Sequence, residues 1–249
     1  MTRRRFHAPS NAHDLEAQII TLPPEETRHL RDVLRLKEGD EVYVFNGAGR
    51  EFRCTVAGTS RHSATLQIEA EVQPAKPESH LQLQLGVALL KGEKFDLVVQ
   101  KATELGANSI LPLITRYADI HLRDEADARK RVTRWQRIAL EAAKQSGRAV
   151  VPEIQNPLAL DSFLTGTNEA DLCLMFSERG GDALTSFAAT ASQRVTALVG
   201  SEGGWSDEEI ASARAAGLKI VTLGGRTLRA ETAAIAVATL LQHLFGDLK

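Results

Sequence analysis

Cysteine is nearly missing from the 249 residues: only Cys54 and Cys173 occur, far apart. Two such thiols give no disulfide framework, and a structural zinc site wants about four ligands at short spacing. The seven histidines, from His7 to His243, do not cluster with them, so no metal is expected. A reducing, cytoplasmic compartment is expected instead. Long apolar runs are missing too. None approaches the roughly 18 residues that span a bilayer, so no membrane partner is expected. The opening MTRRRFHAPS has no apolar stretch after its arginines, and no secretory leader is read there. Charge of one sign is not in excess: 30 Lys+Arg against 32 Asp+Glu leave a formal net charge of -2. A uniformly basic nucleic-acid coat is thereby excluded, and any such binding must come from local clusters. Standard nucleotide and hydrolase motifs also fail. No G-x-x-x-x-G-K-[ST] phosphate loop occurs. Gly47-Ala48-Gly49 lacks the third glycine of a dinucleotide fingerprint. Ser201 is no hydrolase nucleophile, because the elbow needs glycine where Val199 stands.

What is present is an ordinary globular composition, 43% hydrophobic and 25% charged, long enough for one large or two modest domains. The first third reads as β. EVYVF (41–45) alternates and runs into Asn46-Gly47, a hairpin signal; REFRCTVAG (50–58) and HSATLQIEAEV (62–72) alternate after it. EETRHLRDVLR (25–35) predicts a short helix with Leu30, Val33 and Leu34 on one side and Arg28, Arg31 and Arg35 on another. Strands with one helix suggest a small barrel. QPAKPESH (73–80) is the linker candidate, and the domains are taken as 1–74 and 75–249.

Beyond the linker, strand and helix patterns alternate. LQLQLGVALL (81–90), SILPLI (109–114), DLCLMFS (171–177), RVTALVG (194–200) and LKIVTLG (218–224) read as buried strands. Helices are predicted over FDLVVQKATELG, over about 125–146, from Ser206 with its S-D-E-E capping box, and from about Glu231 to Leu244. Repeated βα units favour an α/β fold with a parallel sheet.

Two segments use glycine where packing alone does not ask for it. In LVGSEGGWSDEE (198–209) a buried strand runs into Gly200, Gly203 and Gly204, then into a capped helix. In LGGRTLRAETAAIAVATLLQ (223–242) a strand ends at Gly224-Gly225, and Arg226, Arg229 and Glu231 precede an alanine-rich helix. Such turns bring backbone N–H groups close to a ligand at the carboxyl end of a strand. Each alone reads equally well as a tight turn without a ligand; the pair points to one pocket at a sheet edge. Basic clusters are local. Arg3, Arg4 and Arg5 adjoin Phe6, which is able to stack on a base, and Arg28, Arg31 and Arg35 lie on the first helix; both sets are candidate RNA contacts. Arg129 to Arg137 follow acids on the long helix and read as a solvated mixed-charge face.

At these residues the sequence resembles the RsmE-type 16S ribosomal RNA uridine methyltransferases of the SPOUT class. LVGSEGGWSDEE and LGGRTLRAETA look like that family's two C-terminal signatures. RRRFHAP, HLRDVLRLKEGD (29–40), KGEKFDLVVQKATELG (91–106) and SGRAVVPEI (146–154) look like it as well, in order along nearly the whole chain. Ser201 stands where the family usually has proline, and Thr227 and Ala230 where it often has isoleucine and threonine.

The resemblance implies a PUA-like N-terminal β-barrel that helps bind RNA, and a C-terminal parallel-sheet domain closed by a trefoil knot. It implies a homodimer that binds S-adenosyl-L-methionine and methylates N3 of a uridine in small-subunit 16S rRNA. Carried onto this chain, the cofactor pocket takes Met175, Leu198, Val199, Gly200, Gly203, Leu223, Gly224, Leu228, Thr232 and Ala233. Arg229 would stabilise charge on the uracil, with Glu202 or Glu231 as proton acceptor or orienter. For those acids, helix capping or an Arg–Glu ion pair is an equal reading. Two rivals remain: a related knotted enzyme acting on a ribose 2′-oxygen or another base, and a non-catalytic ribosome-assembly protein.

Overall fold

The computed structural model describes residues 3–118, 120, 122–166, 172–189 and 192–249. Asp171, read as a strand's first residue, lies outside them, as does His121. One compact unit comprises Met1–Glu78 and Leu140–Val151, the other Ser79–Ala139 and Pro152–Lys249. Among the described residues no helix is long and apolar enough to cross a membrane.

The first unit is a curled six-stranded sheet. Its strands are β1 (Arg5–His7), β2 (His13–Asp14), β3 (Ile19–Leu22), β4 (Glu41–Phe45), β5 (Glu51–Thr59) and β6 (Ala64–Val72), in the order β1-β4-β5-β6-β3-β2. β1 pairs with β4 in parallel, and the remaining pairs are antiparallel. Alternation sends Val42, Val44, Phe52, Cys54, Val56, Ala64 and Leu66 into one core, closed by Phe6 and Leu30. The β4–β5 loop is fixed by Asn46, whose Oδ1 accepts from the backbone N–H of Ala48 at 2.9 Å and of Arg50 at 3.0 Å.

The expected helix is shorter and wider than its periodicity suggests. α1 (Pro24–Arg28) passes into a π-helical stretch at His29–Val33, where the Leu34 N–H reaches back to His29 O. Arg35 then takes φ 54 and ends it. The wider turn rotates the face: Leu30 is buried, but Val33 is 68% and Leu34 39% exposed.

The second unit contains β7 (Gln82–Ala88), α2 (Lys94–Glu104), β8 (Ser109–Ile114), α3 (Glu125–Ser146), β9 (Glu153–Ile154), β10 (Leu158–Ala159), α4 (Leu160–Leu164), β11 (Leu172–Phe176), β12 (Asp182–Ala183), β13 (Arg194–Val199), α5 (Asp207–Ala215), β14 (Lys219–Thr222) and α6 (Ala230–Phe245). The last turns of α3 belong to the first unit. Every strand pair is parallel, in the order β10-β8-β7-β13-β11-β14-β12, with β9 beside β8. Under α4 and α5 lie Leu111, Leu113, Met175, Leu198 and Ile220. α2 and α6 pack on each other, and α6 also meets β7 and β13.

The strand order places a topological switch point between β7 and β13. After β7 the chain turns toward β8; after β13 it turns the other way, toward β14. Adjacent strands whose connections diverge leave a crevice at their carboxyl ends.

Candidate functional site

Three strand ends converge on one cavity of about 300 Å³. Phe176 ends β11 and Ser177 follows it, Val199 ends β13 and Gly200 follows it, and Thr222 ends β14 and Leu223 follows it. The loop after β13 folds back on itself. The Gly204 N–H donates to Ser201 O at 2.9 Å, and Gly204 takes φ 69. Trp205 closes the loop: its ring is buried, and its indole N–H donates to Phe176 O at 2.8 Å. A Cβ on Gly200 would stand 3.2 Å from that ring, so glycine lets strand and indole approach. Arg179 Nη2 donates to Trp205 O at 2.7 Å and ties the loop to the segment after β11. α5 then starts with the expected capping box: Ser206 Oγ accepts the Glu209 N–H at 3.1 Å, and Glu209 Oε2 accepts the Ser206 N–H at 2.8 Å.

The loop after β14 is built differently. Gly224 and Gly225 take φ 74 and φ 68, and a Cβ on either would meet nothing within 4 Å. Their backbone therefore faces open space. Below them the Thr222 hydroxyl donates to Ser177 O at 3.0 Å, stitching β14 to the end of β11.

Of the residues singled out in the sequence, Val199, Gly200, Glu202, Leu223, Gly224, Leu228 and Ala233 line the cavity. Met175 and Leu198 do not. Both are wholly buried with α4 and α5, because the two-residue period of a strand turns them away from their cavity-lining neighbours Phe176 and Val199. Gly203 is exposed beside Tyr117, whose Cβ would stand 2.7 Å from a Cβ there, and Gly204 lines the cavity instead. Thr232 is exposed in the first turn of α6 and is not part of the lining. Arg229 is the exposed N-cap of α6. Glu231 follows it, half-buried, with Oε2 buried and without a hydrogen-bond partner among the described residues.

A further charge joins these. Lys94, the first residue of α2, donates from Nζ to Glu202 Oε1 at 2.6 Å. The hydrogen bond to Glu202 is the main cause that raises the Lys94 ammonium above its ordinary value; the Glu202 and Glu231 charges add to it, and Arg229 opposes it. Glu202 shares the cavity lining with the charged side chains of Glu178, Arg179 and Arg226. Lys94, Trp205 and Arg179 were not singled out by sequence pattern. Lys94 is 108 residues from its partner, and only the sheet order brings them together.

The structure places the members of the N-terminal basic-aromatic run in different surroundings. Phe6 is wholly buried in the barrel core, edge-on to His29, and has no face to offer a base. Arg5 is nearly as buried. It pairs with Glu51 at 3.0 Å, donates to the carbonyls of Lys144 and Arg148, and lies over the Phe45 ring. Arg3 holds the other oxygen of Glu51 at 2.9 Å. Glu51 is fully buried, so both arginines neutralise it. Arg4 points outward, 4.0 Å from Asp40 and half-exposed. Arg28 and Arg35 are exposed, while Arg31 is forked onto Asp32 and donates to the carbonyls of Ser60 and Arg61.

Known proteins match this arrangement along its whole length. A family model described as an RNA methyltransferase domain matches residues 77–242, and an RNA methyltransferase PUA domain matches residues 22–69. The chain is 32% identical over 231 residues to the ribosomal RNA small subunit methyltransferase E of Buchnera aphidicola subsp. Schizaphis graminum, covering 93% of each chain. With the same enzyme of Bacillus subtilis the identity is 28%, over 93% of this chain and 94% of that one. Among solved structures, ribosomal RNA small subunit methyltransferase E from Neisseria gonorrhoeae bound to S-adenosyl methionine superposes with a TM-score of 0.89, at 31% identity and covering 100% of both chains. The chain therefore belongs to the ribosomal RNA small subunit methyltransferase E family.

Proposed function

We propose that this chain transfers the methyl group of S-adenosyl-L-methionine to N3 of a specific uridine in the 16S rRNA of the small ribosomal subunit. The observation that carries the reading is the cavity where the loops after β11, β13 and β14 meet. Its volume falls at the lower end of the roughly 300–1,000 Å³ of small-molecule sites. The residues fit the methyl donor: Gly224 and Gly225 present unshielded backbone to open space, and Val199, Leu228 and Ala233 supply apolar walls for a purine ring. When bound, the donor supplies an electrophilic methyl carbon on a sulfonium.

The protein's part is position and charge. Uracil N3 carries a proton at neutral pH, and its loss spreads negative charge to the flanking carbonyl oxygens. Arg229, exposed at the start of α6, offers N–H donors to those oxygens. Glu231, with one buried oxygen lacking a partner among the described residues, is the proton acceptor. Glu202, bonded to Lys94, orients the loop after β13. N3 lies on the Watson–Crick edge, so the uridine is unpaired or flipped out when it reacts.

The remaining proposals rest on the same reading. The segment after β14 crosses back so that α6 meets β7 and β13, a path that supports a trefoil knot. The small residues of α6 support a homodimer. Arg4, Arg28 and Arg35 on the barrel, with Arg31 beside them, are the phosphate contacts, and the cytoplasm is the compartment. Methyl transfer to purified 30S particles, followed by mass spectrometry of the nucleosides, tests the reading. It predicts 3-methyluridine; a 2′-O-methylated nucleoside would transfer the reading to the rival enzyme class.

A further inference from the structure

Four charged side chains line the cavity: Glu178, Arg179, Glu202 and Arg226. Two of them are engaged. Glu202 accepts from Lys94, and Arg179 donates to Trp205 O while its Nη1 lies 3.2 Å from Asp207. Glu178 and Arg226 differ. Both are exposed, and neither side chain has a hydrogen bond or an ion pair among the described residues, with the other or with any third group.

The backbone around each is fixed. Ser177 Oγ accepts the Arg179 N–H at 3.1 Å and donates to Arg179 O at 3.0 Å, so Glu178 stands at the tip of a closed turn. Its Oε1 lies 3.9 Å from the place a Cβ on Gly204 would take, against the loop after β13. Arg226 follows Gly224 and Gly225, and its N–H closes a turn onto Gly224 O at 2.8 Å. β11 and β14 are neighbours in the sheet, so the two turns leave adjacent strand ends.

An anion and a cation that line one cavity, each without a partner, match a ligand that carries both charges. The methyl donor is such a ligand: its amino-acid end bears an ammonium and a carboxylate, apart from the purine that the apolar walls take. We propose that Glu178 and Arg226 are specificity-determining residues for that end, Glu178 holding the ammonium and Arg226 the carboxylate. The assignment rests on the reading of the cavity as the donor site. It concerns which adenosine derivatives are bound, and gives neither side chain a part in the chemistry at N3.

The test is calorimetry on the full-length protein with S-adenosylhomocysteine, its analogue without the carboxylate, its analogue without the ammonium, and 5′-methylthioadenosine, which has neither group. All of them lack the sulfonium, so attraction of Glu178 to that charge does not enter. Arg226→Met is expected to weaken S-adenosylhomocysteine and the analogue without the ammonium by about 5- to 30-fold, and to leave the analogue without the carboxylate within about twofold of wild type. Glu178→Gln does the converse: it weakens S-adenosylhomocysteine and the analogue without the carboxylate, and spares the analogue without the ammonium. Methylthioadenosine binds both variants as it binds wild type, which also reports an intact cavity. Unchanged binding of S-adenosylhomocysteine in both variants, or an equal loss for every ligand, overturns the assignment and leaves the donor site standing. A wild-type protein that binds none of these ligands overturns the donor-site reading, and the assignment with it.

Discussion

At the scale of single residues, the proposed function places the chemistry on Arg229. Arg229→Ala removes a side chain that is exposed at a helix start, so the variant folds and binds donor while kcat falls by about 100- to 1,000-fold, as for loss of one transition-state donor. Single-turnover kinetics beside calorimetry checks this. A second prediction concerns pH. Burial is the main cause that lowers His7 and His13 below 6.5; the Lys144 charge adds to it for His7 and the Arg50 charge for His13, while a backbone hydrogen bond opposes it in each. A histidine with a depressed folded value binds fewer protons when native. Its contribution to stability is therefore full above about pH 6.5 and is lost as pH falls through the folded value. The urea midpoint, followed by circular dichroism, is expected to drop between pH 7 and pH 5, and less steeply in His7→Gln. Residues were legible where the pattern is local: Gly200, Glu202 and Gly224, which line the cavity, stand in short signatures. Lys94 was not, since its meaning depends on a partner 108 positions away. Phe6 and Arg5 misled because a basic-aromatic run reads the same whether it faces water or, as here, a buried glutamate and a core.

Elements were legible where caps and periods agree. The capping box at Ser206 and Glu209 fixed the start of α5, β4 falls where alternation placed it, and β8 falls on the apolar run SILPLI. Ser206→Ala is expected to cost about 1 kcal/mol, with the loop after β13 loosened. Hydrogen exchange would show it as faster exchange at the α5 N-terminus, with little change in α6. The strands β1 and β3 were not predicted. They are three and four residues long, too short for a period to register, and they exist because β4 and β6 offer them edges. The turn from α1 into a π-helix was hidden for a related reason. Sequence periodicity assumes an ordinary helical pitch, and Val33 and Leu34 reveal the change only by their exposure.

On the scale of the whole molecule, composition and alternation pointed to a β unit followed by an α/β unit. They had no means of showing that residues 140–151 return to the first unit, because that docking depends on bonds such as Arg5 to Arg148 O and Arg148 to Glu78. Arg5→Ala leaves Glu51 buried with half its neutralisation and is expected to destabilise the first unit by about 3–5 kcal/mol, measured by denaturant unfolding. The proposed phosphate contacts are other arginines. Alanine at Arg4, Arg28 and Arg35 together should flatten the slope of log K against log salt by about 0.7–0.9 for each phosphate that is no longer neutralised, with the fold intact. An unchanged slope would assign phosphate binding to another face of the protein.

The account depends most on where the methyl donor sits. A crystal structure with S-adenosyl-L-methionine bound tests this directly. The expected result is the donor in the cavity between the loops at 200–205 and 223–228, its methyl carbon turned toward Arg229 and Glu231. A donor bound at another site, or one in the cavity with its methyl carbon facing away from those two side chains, would contradict the account.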